Sequence, residues 1–167
     1  MSVARPSATP KRQGERGAAR YEVGIAGAGQ LARMTCLAAW PLGIRVAVLG
    51  RPGEPSAPMA AGLVEGDWKD AEAVAALGRE VGVVTLENEF VDAAALAAVE
   101  AAGTLVRPGA SALAVVQDKA LQKEMLREAG LPVPRFVVAE RREDLEAAGR
   151  DLGWPLMLKA RKLGYDG

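Results

Sequence analysis

Tyr21-Glu22-Val23-Gly24-Ile25-Ala26-Gly27-Ala28-Gly29-Gln30-Leu31-Ala32-Arg33-Met34 is the stretch on which the reading of this chain turns. An apolar strand carrying Val23 and Ile25 breaks at Gly27-Ala28-Gly29, and a helix opens at Gln30. That is the entry to a βαβ unit. Glycine tolerates positive φ and lets the backbone come close to a group that a Cβ would exclude. The first helical turn leaves N–H groups unpaired, and their partial positive charge suits a phosphate or a carboxylate. The same turn also serves to pack a helix onto a strand, and this stretch alone leaves both readings open.

Outward from it, strand and helix alternate. Leu31, Met34 and Ala38 recur at 3–4 spacing, so they are expected on the packed face of the first helix, which Pro41-Leu42-Gly43 stops. Ile44 to Leu49 is a nearly unbroken apolar run, as a strand covered on both faces requires. A Gly/Pro/Ser loop over 50–58 leads to a short strand at Leu63-Val64, and Asp70 is placed to cap a helix carrying Ala71, Val74 and Leu77. Val81 to Leu86 is the next buried strand. Asp92 caps a helix through Ala102, with Val91 and Leu96 spaced for a hydrophobic staple, and a strand follows at 104–106. Crossovers of this length make parallel neighbours. Residues 21–107 therefore predict an open, doubly wound, Rossmann-like α/β sheet with helices on both faces.

Beyond it the pattern changes. A linker region over 108–130 holds a helix from Asp118 to Ala129, with Leu121, Met125 and Ala129 on one face, broken by Gly130-Leu131-Pro132-Val133-Pro134. A strand at 136–139, a helix at 143–152 and a strand at 155–159 open a second domain over 131–167. Two strands and a helix cannot bury themselves alone. A fragment cut within its second domain is the expectation.

Composition narrows the chemistry. The chain has 167 residues, half of them hydrophobic, and 21 basic against 21 acidic residues, so no global charge bias points to nucleic acid or to an acidic membrane. Five basic residues and one acid fall in residues 1–20, a Pro-, Ser-, Ala- and Gly-rich stretch expected to be a disordered basic tail. There is no histidine, which excludes His-dependent catalysis and metal binding from these residues. Cys36 is the only cysteine, so no internal disulfide forms, consistent with a reducing cytoplasm. No apolar run has the length of a membrane span.

Four features are candidates for chemistry. Gly27 to Ala32 matches the dinucleotide fingerprint in its permissive form, with Ala32 in the third glycine place. No acid ends the second strand to hold ribose hydroxyls, whereas Arg51 there suits a 2′-phosphate, which keeps an NADP-binding oxidoreductase domain as an alternative. Glu87 and Glu89 follow the strand 81–86, where ligands of open sheets bind, and on an extended backbone they face one side. Glu87 is the candidate acceptor for ribose hydroxyls or an amine, while Glu89 is assigned to the start of the next helix. Lys159, at the end of an apolar run and before a glycine loop, is a candidate phosphate clamp. Lys119 and Lys123, a turn apart, read from spacing alone as a solvated helix face.

With these residues in view, the chain resembles the N-terminal part of the ATP-grasp ligases of purine biosynthesis, of the N5-carboxyaminoimidazole ribonucleotide synthase family. The resemblance runs from Tyr21 to Gly167. It rests on Gly27 to Met34, Pro41-Leu42-Gly43, Gly66-Asp67, Val84 to Glu89, Gln117-Asp118-Lys119, Gly130 to Pro134, and Lys159 with Gly164-Tyr165-Asp166-Gly167. Gln30 and the Gly-Tyr-Asp-Gly close favour this family over formate-dependent phosphoribosylglycinamide formyltransferase and biotin carboxylase. Leu163 departs from it, standing where the family usually has a glycine, as does the Asn88-Glu89-Phe90 half of the strand-end loop.

The resemblance implies ATP-driven carboxylation of 5-aminoimidazole ribonucleotide by bicarbonate, through a carboxyphosphate. It implies that Gln30, Leu31 and Glu87 hold the phosphoribosyl substrate. Lys119, Lys159, Gly164, Tyr165, Asp166 and Gly167 would hold ATP, the last four as a lid over its phosphates. It also implies Mg2+ bound by acids outside this segment, and a homodimer at full length. Residues 1–167 alone are expected not to turn over. A nucleotide-binding module without chemistry of its own is the remaining alternative.

Overall fold

A computed structural model of the chain describes residues 18–164. The expected tail up to residue 17 and the close at Tyr165, Asp166 and Gly167 lie outside the described residues. Five strands form one parallel sheet: β1 (Tyr21–Ala26), β2 (Val46–Gly50), β3 (Gly62–Glu65), β4 (Val81–Leu86) and β5 (Leu105–Val106). Their spatial order is β3-β2-β1-β4-β5, with Ile25 of β1 opposite Val48 on one side and Thr85 on the other. The chain builds outward from β1 to β3, then returns to β1's other edge with β4. The order therefore reverses between β1 and β4, and the loops leaving these two strands diverge there. In open sheets that crevice is where ligands sit.

Helices cover both faces. β2 reads Val-Ala-Val-Leu-Gly and is buried throughout, because its alternate side chains enter different cores. Ala47 and Leu49 join Val74 and Leu77 of α2 (Ala71–Glu80) and Leu96 and Val99 of α3 (Ala93–Ala101). Val46 and Val48 join Ala32, Cys36 and Ala39 of α1 (Gln30–Ala39). Asp70 and Asp92 cap α2 and α3 by accepting the amide hydrogens of Glu72 and Ala94, each at 2.9 Å. Val91 and Leu96, at the staple positions of α3, are fully buried.

The packed face of α1 differs from the expected one. Leu31 is 60% and Met34 58% exposed, and Ala38 is exposed, while the small residues Ala32, Cys36 and Ala39 face the sheet. Small side chains allow the helix axis to lie close to the strands, so the larger residues at the same spacing are turned outward. Ala32, almost fully buried, occupies the place where the dinucleotide fingerprint asks for a small residue for this same reason.

After β5 come α4 (Ala110–Val116), α5 (Lys119–Glu128) and α6 (Arg142–Leu152). α4 contributes Ala110 and Leu113 to the main core, and no residue of α5 is buried. Leu121 and Met125 of α5 are about half exposed. The strands expected at 136–139 and 155–159 are irregular chain. A strand needs a neighbour for its backbone groups, and among the described residues neither segment has one. α6 packs locally instead: the Trp154 indole lies over Gly149, where a Cβ would come within 2.4 Å of the ring nitrogen.

Candidate functional site

The glycine turn after β1 holds a carboxylate of the protein itself. Gly27 takes φ 129°, and the Gly29 amide donates to Glu87 Oε2 at 2.8 Å. A Cβ on Gly27 would lie 2.5 Å from Glu87 Oε2, and one on Gly29 would lie 2.3 Å from Oε1. Both glycines are therefore required by the seat of this side chain, quite apart from φ. Gly29 is the N-cap of α1, makes no side-chain cap, and no acid lies in the helix's first turn. Glu87, 58 residues further along the chain, supplies the missing acceptor and the negative charge favoured at a helix start. Its backbone amide also bonds to Ala26 O at 3.3 Å, so the ends of β1 and β4 are tied twice. Gln30 and Leu31, in the first helical turn beside this carboxylate, are exposed. Among the described residues, Oε1 of Glu87 accepts no hydrogen bond.

Glu87 and Glu89 do not share a face. β4 ends at Leu86, and the chain turns immediately, with Asn88 Oδ1 accepting the Phe90 amide hydrogen at 2.9 Å. The two carboxylates part: Glu87 enters the glycine turn, while exposed Glu89 borders a cavity. The start of α3 is capped by Asp92 instead.

That cavity, about 230 Å3, lies between the loop after β4, the junction of α4 and α5, and residues 162–164. Lys119, Lys162, Leu163 and Gly164 line it together with Gln117 and Glu89. Gln117 Nε2 donates to the carbonyls of Glu89 and Val91, both at 2.7 Å, and so fixes the strand-end loop to the helix junction. Lys119 donates its backbone amide to Arg161 O at 2.9 Å and its ammonium to Gly164 O at 3.4 Å. Asp118 is buried, with a side chain only 2% exposed, and both its oxygens accept from Arg161 Nε, at 2.7 and 2.8 Å. Oδ1 also accepts the amide hydrogens of Ala120 and Leu121. The Arg161 guanidinium and these amides hold the Asp118 carboxyl down at about 2.

Thus Lys119 and Gly164 are brought together, whereas Lys159 is exposed and does not line this cavity. Lys123 places its ammonium 4.9 Å from the centre of the Phe136 ring. Arg51, the candidate for a 2′-phosphate, pairs with Asp67 at 3.4 Å, and its backbone amide donates to Glu54 at 2.7 Å. Leu163 takes φ 58°, the left-handed conformation that glycine adopts freely. Gln117 and Asp118 stand inside a recognisable motif, but nothing local in the sequence marks Arg161, whose partner is 43 residues away. Among the described residues, no group of three or more His, Cys, Asp or Glu is placed to hold a metal ion.

Fold and site together define a Rossmann-like domain of the doubly wound α/β class. Residues 21–117 match the ribonucleotide synthetase preATP-grasp domain, and residues 124–167 match the ATP-grasp domain. The chain belongs to the ribonucleotide synthetase preATP-grasp family. It is 40% identical over 146 residues to the N5-carboxyaminoimidazole ribonucleotide synthase of Synechococcus elongatus, covering 87% of this chain and 37% of that one. The N5-carboxyaminoimidazole synthase of Aspergillus clavatus, solved with ADP and 5-aminoimidazole ribonucleotide, superposes with a TM-score of 0.80 at 39% identity. That match covers 86% of this chain and 39% of the Aspergillus one. The Staphylococcus aureus enzyme solved with ADP gives a TM-score of 0.81 at 30% identity, over 89% and 40% of the two chains. The chain thus spans about two fifths of the length of the relatives it matches.

Proposed function

We propose that this chain is the N-terminal portion of an ATP-grasp ligase that carboxylates 5-aminoimidazole ribonucleotide with bicarbonate in purine biosynthesis. The observation that carries this reading is the Glu87 carboxylate seated in the Gly27–Gly29 turn at the reversal of strand order. It stands in a chain 39% identical to an enzyme solved with that ribonucleotide. Glu87 uses Oε2 on the protein and offers Oε1 to a ribose hydroxyl or an amine. Exposed Gln30 and Leu31 border the same place and would complete the substrate contacts.

ATP would supply the activation of bicarbonate as an acyl phosphate, from which the substrate amine takes up the carbon. Lys119, Lys159 and the loop from Gly164 to Gly167 would hold its phosphates, the ammonium groups by charge and the loop by its backbone amides. A loop closed over an acyl phosphate excludes the water that would hydrolyse it. Magnesium would accompany the nucleotide, its ligands supplied by acids outside this segment. Among the described residues no helix is long and apolar enough to cross a membrane. We place the reaction in the cytoplasm and the full-length protein in a homodimer, and residues 1–167 alone are expected not to turn over.

Titration of 5-aminoimidazole ribonucleotide into the chain, followed by amide resonances, tests the assignment. Shifts at Gly27, Gly29, Gln30 and Leu31 that disappear in Glu87→Ala are expected. Shifts confined to other residues, or none, would overturn the substrate assignment.

A further inference from the structure

We propose that Asp118 is a positioning residue for the nucleotide phosphates, acting through Arg161 and Lys119; this rests on the ATP-grasp reading above. A helix cap needs one oxygen and no charge, and Ser or Asn serves as well as Asp. Asp118 does more than cap. Its buried carboxylate accepts two amide hydrogens at the start of α5 and also takes Arg161 Nε on both oxygens. A carboxylate this buried requires a charged partner, and Arg161 is that partner.

The consequence falls on the loop. Arg161 is held by its side chain to Asp118 and by its carbonyl to the Lys119 amide, and Gly164 O is reached by the Lys119 ammonium. Residues 161 and 164 are therefore pinned at three points to two consecutive residues, the N-cap Asp118 and the first residue of α5, Lys119. The cavity that Lys119, Lys162 and Gly164 share owes its shape to this clamp. Asp118 also keeps the Arg161 guanidinium turned to the helix start, which leaves Lys119 and Lys162 as the cations that line the cavity.

The charge and the cap are separable by substitution. Asp118→Asn keeps an acceptor for the Ala120 and Leu121 amides but loses the charge that faces Arg161, and Arg161→Gln removes the other half of the pair. The full chain, the two single variants and the double variant are titrated with ATP and followed by the Lys119 and Gly164 amide resonances. Far-ultraviolet dichroism and thermal midpoints are recorded alongside. Each single variant is expected to bind ATP about tenfold more weakly, on the scale of one charge-assisted contact. The double variant is expected to be no weaker than either single one. The helicity of α5 should stay near that of the parent.

A silent Asp118→Asn, or losses that multiply in the double variant, would overturn the clamp while the ATP site stands. Loss of α5 helicity in step with affinity in Asp118→Asn would reduce Asp118 to a structural cap and overturn it as well. A parent chain with no ATP-dependent shift at Lys119 or Gly164 would instead sink the ATP assignment, and the clamp with it.

Discussion

Glu87 Oε2 accepts the amide hydrogen of Gly29 at 2.8 Å and so caps α1 from across the strand-order reversal. The relation fixes what each partner tolerates. Gly29→Ala would drive a methyl group to within 2.3 Å of Oε1, and Gly27→Ala meets Oε2 at 2.5 Å with an unfavourable φ of 129° in addition. The carboxylate can swing away, but only by uncapping the helix. Each substitution is expected to cost about 1–3 kcal/mol in denaturant unfolding. Glu87→Ala, which removes the cap without a clash, is expected to cost about 1 kcal/mol. Glu87→Gln keeps an acceptor and should cost less than Glu87→Ala.

The packed face of α1 makes a paired prediction. Met34→Ala touches an exposed side chain and should leave stability within about 0.5 kcal/mol. Ala32→Leu forces three extra carbons against β1 and β2 and should cost about 1–3 kcal/mol. Leu77→Ala, opening the other core where Leu77 is fully buried, should cost about 2–5 kcal/mol. Chemical denaturation of the three variants checks the order. A large loss from Met34→Ala would restore the face expected from spacing.

Acid tests the Asp118 pair. The carboxyl titrates at about 2 in the folded chain, below the usual carboxylate range, because Arg161 and two amides favour its charged form. A carboxyl depressed by folding stabilises the native state above its unfolded value, and that contribution is lost as pH falls through the folded one. The expected loss lies between about pH 4 and pH 2. Glu22, also held at about 2 by its bonds from Arg45, loses its contribution over the same window. Comparing Asp118→Asn with the parent isolates the first share: the variant's stability should fall less steeply across that window. Equal slopes would show that Asp118 carries no proton linkage.

These tests separate what could be read in the sequence from what could not. The sheet and its caps were legible because they depend on local pattern: Val81 to Leu86 is a strand in both readings, and Asp70 and Asp92 cap where their spacing says. The face of α1 was not, because spacing marks a stripe without saying how close the sheet comes. The irregular segments at 136–139 and 155–159 carry strand-like residues, yet a strand also needs a partner, which local pattern does not report. At the site, Glu87 was visible at a strand end, but its seat in the glycine turn depends on β4 returning beside β1. Arg161 was invisible for the same reason, since its meaning comes from Asp118, 43 residues earlier.

Leu163 gives the clearest opposition of two effects. At φ 58° its side chain costs about 1–2 kcal/mol relative to the right-handed region. Glycine there would remove that strain but would lose more chain entropy on folding, by about 0.5–1 kcal/mol. Leu163→Gly should therefore be neutral to mildly stabilising, while exchange at the Gly164 amide quickens as the local chain gains freedom. Leu163→Val, β-branched in a left-handed conformation, should be clearly destabilising to the loop. Hydrogen exchange at Gly164 distinguishes them, and slower exchange in Leu163→Gly would contradict the account.

The distribution of buried side chains leads to a prediction about the folding unit. From Ile25 to Leu113 the buried apolar residues form two continuous clusters around the sheet, and beyond Leu113 only Ala148 joins the buried apolar set among the described residues. α5 buries nothing, and the clamp at Asp118 joins α5 to the loop at 161–164 without reaching the sheet. Residues 18–117 hold every strand among the described residues, four α-helices and Gln117 with its two bonds to the loop after β4. Expressed alone, they should unfold in one cooperative transition, with a midpoint within about 5 °C of the full chain. Cutting at residue 107 removes α4 and exposes the apolar surface that Ala110 and Leu113 cover, and this shorter piece should melt lower and more broadly. Equal melting of the two pieces would show that α4 does not belong to the core, and that the first domain ends at β5.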